Sequence, residues 1–219
     1  LKLAVPTAFE DGEYWGQVAY GRDRLPGAER EVVAQKWTAT VSPSRDMALT
    51  CINDGSYGSD FPGGELRLTL LRSPAYSAHP FGGRKTLPQD RYTPRIDQGE
   101  RLFTFWLNAG PAGERLEQVE REALVRNEKP MALSFYPAGL GEIPAPGITL
   151  SDTCVVMTAF KQAEQDNGFI LRLFEPTGTA RTTTVSIPAL NLKKTVALNA
   201  YEIKSLRLSA DGKKLQEVD

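Results

Sequence analysis

Short segments in which apolar and polar residues alternate, cut apart by turn-forming residues, recur along almost the whole chain and leave few folds open to it. In "ELRLTLL", Leu66, Leu68 and Leu70 alternate with Glu65, Arg67 and Thr69. That period of two belongs to a strand with one face in a core. "REVVAQKW", "DMALTCIN", "ERLFTFWL", "TCVVMTAFK", "GFILRLFE", "TTTVSI" and "YEIKSLRL" have similar lengths and are rich in β-branched and aromatic residues. "SPSRD", "DNG", "EPTG" and "ADGKK" punctuate them. Asn167 and Gly168 tolerate the positive φ angles of a tight hairpin, so strands over about 155–162 and 169–175 are expected to pair antiparallel. The pattern predicts an all-β fold, a large antiparallel β-sandwich with few or short helices and Greek-key-like crossovers.

Two segments depart from this rhythm. "GPAGERLEQVEREALVRNEKP" places Leu116, Val119, Ala123 and Leu124 at near-helical spacing between Pro111 and Pro130. It reads as a short amphipathic helix or an irregular crossover, with an extended strand over "REALVRNEKP" as the alternative. The stretch 72–99 is a long proline-rich loop with Pro74, Pro80, Pro88 and Pro94 and no apolar period. Loops beyond roughly 15 residues are uncommon in compact domains unless they carry function or are disordered. Tyr76, Phe81 and Tyr92 suit anchors for it, and Arg84, Asp90, Arg91 and Arg95 supply hydrogen-bonding heads. Structural packing and a sugar-facing surface are both open readings.

The 219 residues suit one large β domain or two small ones, and a single sandwich domain over 1–219 is the expectation. The 26 Lys and Arg balance the 27 Asp and Glu, and no block of five like charges occurs, which argues against a nucleic-acid partner. No apolar run approaches the roughly 18 residues of a membrane span, and the start lacks the basic and apolar regions of a signal peptide. Beginning at Leu1 without Met, the chain reads as a fragment of a longer one. Cys51 and Cys154 sit in apolar runs. Two separate buried thiols are favoured over an inter-strand bridge, which suggests a cytoplasmic setting. With His79 the one histidine, the usual zinc constellations cannot be assembled, so neither a metal site nor a catalytic residue is assigned here.

"CINDGSYGSD" surrounds Tyr57 with turn formers where a bare hairpin needs far fewer. Its glycines, like those of "FPGG" and "PFGG", lack the spacing of phosphate-binding loops. The order of the segments after it is informative. Asn53-Asp54-Gly55-Ser56-Tyr57-Gly58 precedes "LRLTLLRSP", then "DQGE" at 97–100 and "FTF"; "AFK" and "AE" precede "LRLFE", and "YEIKSLRL" comes last. From about Glu31 to Leu208 this succession resembles the C-terminal β domain of glycoside hydrolase family 38 α-mannosidases. The resemblance implies a supersandwich of the galactose mutarotase-like kind. It also implies that this chain is the C-terminal part of a longer polypeptide, whose separate N-terminal domain holds zinc and the attacking Asp and performs retaining hydrolysis of terminal α-mannosides. No counterpart of those catalytic groups maps onto this chain. Its implied partners are that catalytic domain, an α-mannoside at the domain interface, and a homo-oligomer. Asn53, Asp54, Tyr57, Arg72 and Asp97 are the substrate-cleft candidates. Asn53 and Asp54 are expected to fix the turn by side-chain hydrogen bonds, holding Tyr57 rigid beside Arg72. Against this stands a structural role, with Tyr57 plugging the sandwich end and Arg72 pairing with Asp54 or Asp97. An autonomous carbohydrate-binding module is the other function class, and an independent epimerase or lyase a third.

Overall fold

The computed structural model describes residues 1–74, 95–134, 136, 139 and 147–218. Among these the chain is all-β but for one α-helix and two single turns of 3₁₀-helix. In order come β1 (Lys2–Pro6), β2 (Glu13–Val18), β3 (Gly21–Arg24), β4 (Val32–Val33), β5 (Trp37–Val41), β6 (Met47–Asn53), β7 (Gly58–Asp60) and β8 (Glu65–Thr69). Next are β9 (Phe105–Pro111), α1 (Ala112–Asn127), β10 (Thr149–Leu150), β11 (Val156–Gln162), β12 (Phe169–Phe174), β13 (Arg181–Ile187), β14 (Leu192–Leu198), β15 (Ile203–Leu208) and β16 (Leu215–Val218).

The strands form four antiparallel sheets, ordered β1-β8-β7-β4, β3-β2-β5-β6-β9, β10-β13-β14 and β11-β12-β15-β16. Between the first two lie Tyr14, Cys51, Phe61, Leu66 and Leu68. The alternation of "ELRLT" is realised there: Leu66 and Leu68 are buried while Glu65, Arg67 and Thr69 are half-exposed. Helix α1 covers the other face of the five-stranded sheet, setting Leu116, Val119 and Ala123 against Trp37, Ala39, Val41 and Ile52. Every residue of β5 is therefore buried, which explains why "WTATV" carries no polar face of charged residues. The helix resolves the ambiguity of "REALVRNEKP". Its apolar stripe at spacings of three and four is what a sheet face can bury, whereas as a strand the same residues would split between two faces.

The last two sheets enclose a second sandwich core built from Leu171, Leu173, Val185, Val196, Leu206 and Leu208. The hairpin expected around "DNG" is present, with Phe169 opposite Gln162 and Phe174 opposite Val156. Asp166 closes it, accepting from the Gly168 N–H at 2.7 Å and pairing with Arg207.

Other segments differ from their linear pattern. "REVVAQKW" is two elements: Val32–Val33 joins the first sheet and Trp37 opens β5 in the second. Between them Ala34 and Lys36 donate their N–H groups to the Tyr57 carbonyl and the Gln17 side chain, so the chain crosses from sheet to sheet there. "ERLFTFWL" becomes regular only from Phe105, the residue opposite Asn53 at the end of β6, because residues 101–104 run past the partner strand.

The two halves meet through polar contacts and through the edge-on rings of Tyr20 and Phe174. Tyr201, at φ +58°, lies between Gly21 and Gly178, where an added Cβ would come within 2.9 and 2.6 Å of its ring. Its hydroxyl donates to the Arg22 carbonyl at 3.3 Å. Beneath it the fully buried Glu175 accepts from the N–H groups of Thr177 (2.8 Å), Gly178 (2.7 Å), Thr179 (3.2 Å) and Tyr201 (3.1 Å), and from the Thr177 hydroxyl. Burial alone would push this carboxyl up, but those hydrogen bonds outweigh it and hold it below the ordinary carboxylate range.

Candidate functional site

The turn after β6 is built as its sequence suggests, with one difference. Asn53 is buried; its Oδ1 accepts from the Gly55 N–H at 3.1 Å and its Nδ2 donates to the Gln35 carbonyl at 2.7 Å. This is an Asx turn, and Gly55 completes it at φ +88°. Asp54 contributes through its main chain instead, donating its N–H to the Thr104 carbonyl at 3.2 Å. Tyr57 accepts from the Ala34 N–H through its carbonyl, while its ring stands 52% exposed. The backbone is thus fixed on both sides of an outward-facing phenol.

The other candidates arrive at the same end by different routes. Gly58 abuts the end of β8, since a Cβ there would lie 3.3 Å from that of Thr69. Past Thr69 the chain is held by Leu1, whose carbonyl accepts from the N–H groups of Leu70 and Leu71, and Arg72 then emerges exposed. Ser73 donates to the Ile96 carbonyl at 2.7 Å, and Ile96 donates its N–H back to Pro74 at 3.2 Å. The two ends of the 72–99 loop are therefore joined, and Asp97 is carried beside the Arg72 segment. Asp97 pairs with Arg101 at 3.4 Å; among the described residues neither it nor Asp54 pairs with Arg72. The loop's middle, with Tyr76, His79, Phe81, Arg84, Asp90, Arg91 and Tyr92, lies outside the described residues. The fold brings Asn53, Asp54, Tyr57, Arg72 and Asp97 to one end of the first sandwich and joins none of these side chains directly to another.

A groove of about 880 Å³ starts beside this end, at Ile52 and Phe105, and runs between β9 and α1 to Cys154. On its wall the Arg126 guanidinium lies 5.4 Å from the centre of the Trp106 ring. At its far end Glu117 accepts from Arg181 at 3.0 Å, and Arg181 also reaches Asp152 (3.5 Å) and Glu175 (3.4 Å). The walls of the groove come from segments far apart in the chain, so the linear order marks it only through the aromatic run "FTFW".

Both cysteines are free thiols, as the sequence favours, but only Cys51 is fully buried. Burial pushes Cys51 up to about 12 and raises Cys154 less, since Arg181 lies close by. Among the described residues no three His, Cys, Asp or Glu side chains group as metal ligands would. No helix among them is long and apolar enough to cross a membrane.

Comparison with known proteins agrees with this architecture. Residues 154–218 match the family described as glycosyl hydrolases family 38 C-terminal beta sandwich domain. α-Mannosidase G of Dictyostelium discoideum is 28% identical over 179 residues, covering 80% of this chain and 15% of that protein. An α-mannosidase from Enterococcus faecalis V583 superposes with a TM-score of 0.75 at 16% identity, over 95% of this chain and 25% of that one. A second structure, a family 38 glycosyl hydrolase protein from Enterococcus faecalis, gives 0.72 at 17% identity, over 95% and 26%. The class so defined is an antiparallel β-sandwich fold shared with these glycoside hydrolase structures. The likeness read from "NDGSYG", "LLRSP" and "LRLFE" agrees with these comparisons: residues 154–218 match the family 38 C-terminal β-sandwich model, and the chain is similar in sequence and fold to family 38 α-mannosidases. The chain spans 15% of the Dictyostelium relative and about a quarter of each Enterococcus chain.

Proposed function

We propose that this chain is the non-catalytic C-terminal part of an α-mannosidase, in which a separate catalytic domain, with its zinc and nucleophile, performs retaining hydrolysis of terminal α-mannosides. The end of the first sandwich bearing Tyr57, Arg72 and Asp97 faces that domain and helps shape the substrate cleft, while other surfaces pack in the oligomer; the two free thiols suit a cytoplasmic setting. One observation carries the reading: a phenol is held half-exposed by a turn whose own polar groups are satisfied by the fold, so its outward face is not needed for stability. Exposed apolar side chains flank the same end, Leu102 at 92% and Leu107 at 46%, as an interface requires.

The test uses the full-length polypeptide. Tyr57→Phe and Arg72→Ala are each expected to lower kcat/KM for an α-mannoside by about tenfold, which corresponds to ~1.4 kcal/mol of transition-state stabilisation. Folding should be unchanged, because neither side chain belongs to a buried core. Parental kcat/KM in both variants removes this end from the cleft.

A further inference from the structure

Two lysine pairs that lie twenty residues apart in the chain meet in space. Lys193 and Lys194 belong to β14, and Lys213 and Lys214 to the turn before β16. Together with Leu192 and Leu215 they line a shallow cleft of about 380 Å³. The turn is pinned in place: Ser209 donates its N–H to the Lys214 carbonyl at 2.9 Å, and Gly212 sits where an added Cβ would lie 3.1 Å from Leu190. Neighbouring acids are already engaged. Asp211 accepts from the Ser209 hydroxyl (2.6 Å) and the Lys213 N–H (3.1 Å), and Glu217 pairs with Lys204 at 3.3 Å. Among the described residues none of the four lysines has an ion-pair partner.

Among the described residues the cleft also lies between two open sheet edges, since β14 ends its sheet and β16 ends the facing one. An open edge offers a row of unpaired N–H and C=O groups to any extended chain, and lysines on it are a known guard against unwanted pairing. The guard is selective. A neutral strand laid there would bury ammonium groups without a partner, whereas carboxylates on alternate residues would meet them. We propose that the cleft binds an extended acidic segment of another polypeptide, added as a strand along the free edge of β14 with its carboxylates on these lysines. A compact phosphate fits less well, because the lysines spread along two edges and neither an arginine fork nor a helix N-terminus converges on one point.

Calorimetric titration of the purified protein with a short capped peptide of alternating glutamate and valine, at low salt, tests this. The peptide is expected to bind, and the double variant Lys193→Glu/Lys213→Glu to lose about tenfold or more in affinity. Raised salt should weaken binding, and β14 amides should exchange more slowly when the peptide is present. Because these two lysines are exposed, the double variant should keep the parental circular dichroism. A peptide with lysine in place of glutamate, and tripolyphosphate, serve as rival ligands. Equal binding of the basic peptide, binding of tripolyphosphate alone, affinity untouched by charge reversal, or no binding of the acidic peptide would each overturn the proposal.

Discussion

Replacing Glu175 by Gln changes one oxygen for an amide group of nearly the same shape, at a site with no exposure to solvent. The carboxylate now serves three backbone donors with one oxygen and the Thr177 N–H, its hydroxyl and Arg181 with the other. A glutamine can turn only one oxygen toward them, so its NH₂ must face donors on one side or the other. At about 1–3 kcal/mol for each buried donor left without an acceptor, with Arg181 losing its most buried counter-charge, Glu175→Gln should cost ~3–5 kcal/mol. For a chain of this size that lowers Tm by about 6–20 °C. Thermal and urea unfolding followed by circular dichroism measure it. The pH dependence is a second handle. Because the folded carboxyl titrates below its unfolded value, its contribution is complete above the ordinary carboxylate pKa and is lost as pH falls through the lowered one. The parent should therefore lose stability steeply in acid, and the Gln variant should show less of that slope. A loss under about 1 kcal/mol at neutral pH, or an unchanged acid slope, would refute the accounting.

Glu120 should behave in the opposite sense. Burial pushes it up despite hydrogen bonds from Trp37 (2.8 Å) and Gln17 (2.6 Å), so stability should fall as pH rises from the unfolded carboxyl value through the raised one. A fluorescence step in that range, absent in Glu120→Gln and in Trp37→Phe, reports it. Gly55→Ala and Gly178→Ala both place a side chain at positive φ, but only the second meets a ring within 2.6 Å. Equilibrium unfolding should give about 1 kcal/mol for the first and ~2–3 kcal/mol for the second. Leu171→Ala, in the core of the second sandwich, should cost about 2–5 kcal/mol in the same assay. In the folded protein a thiol reagent at neutral pH should label Cys154 well before Cys51, and the two rates should converge only on unfolding.

Much of the fold was legible because strands and turns are local. The "DNG" hairpin and the alternation of "ELRLT" appear where their residues place them, and the Asx turn at Asn53 arises from one side chain reaching two residues along. β1, β2 and β14 are not legible, and each for a reason. "KLAVP" carries a proline and exposes most of its residues, "EYWGQV" is interrupted by a glycine, and "LKKTVAL" breaks its alternation with adjacent lysines. The candidate cleft residues could be named from the sequence but not placed relative to one another: Arg72 and Asp97 share an end only because Ser73 and Ile96 bridge the base of the loop.

Composition likewise set the overall charge near neutral but said nothing of how it is distributed. Which sheet a strand joins, which glycines face Tyr201, and whether two lysine pairs become one basic cleft are settled by contacts between residues tens of positions apart. A local pattern has the range of a few bonds, so it specifies extended backbone and its turns. The pairing of distant segments is chosen by burial and hydrogen-bond satisfaction summed over the whole molecule, and that is where the groove, the buried Glu175 and the lysine cleft arise.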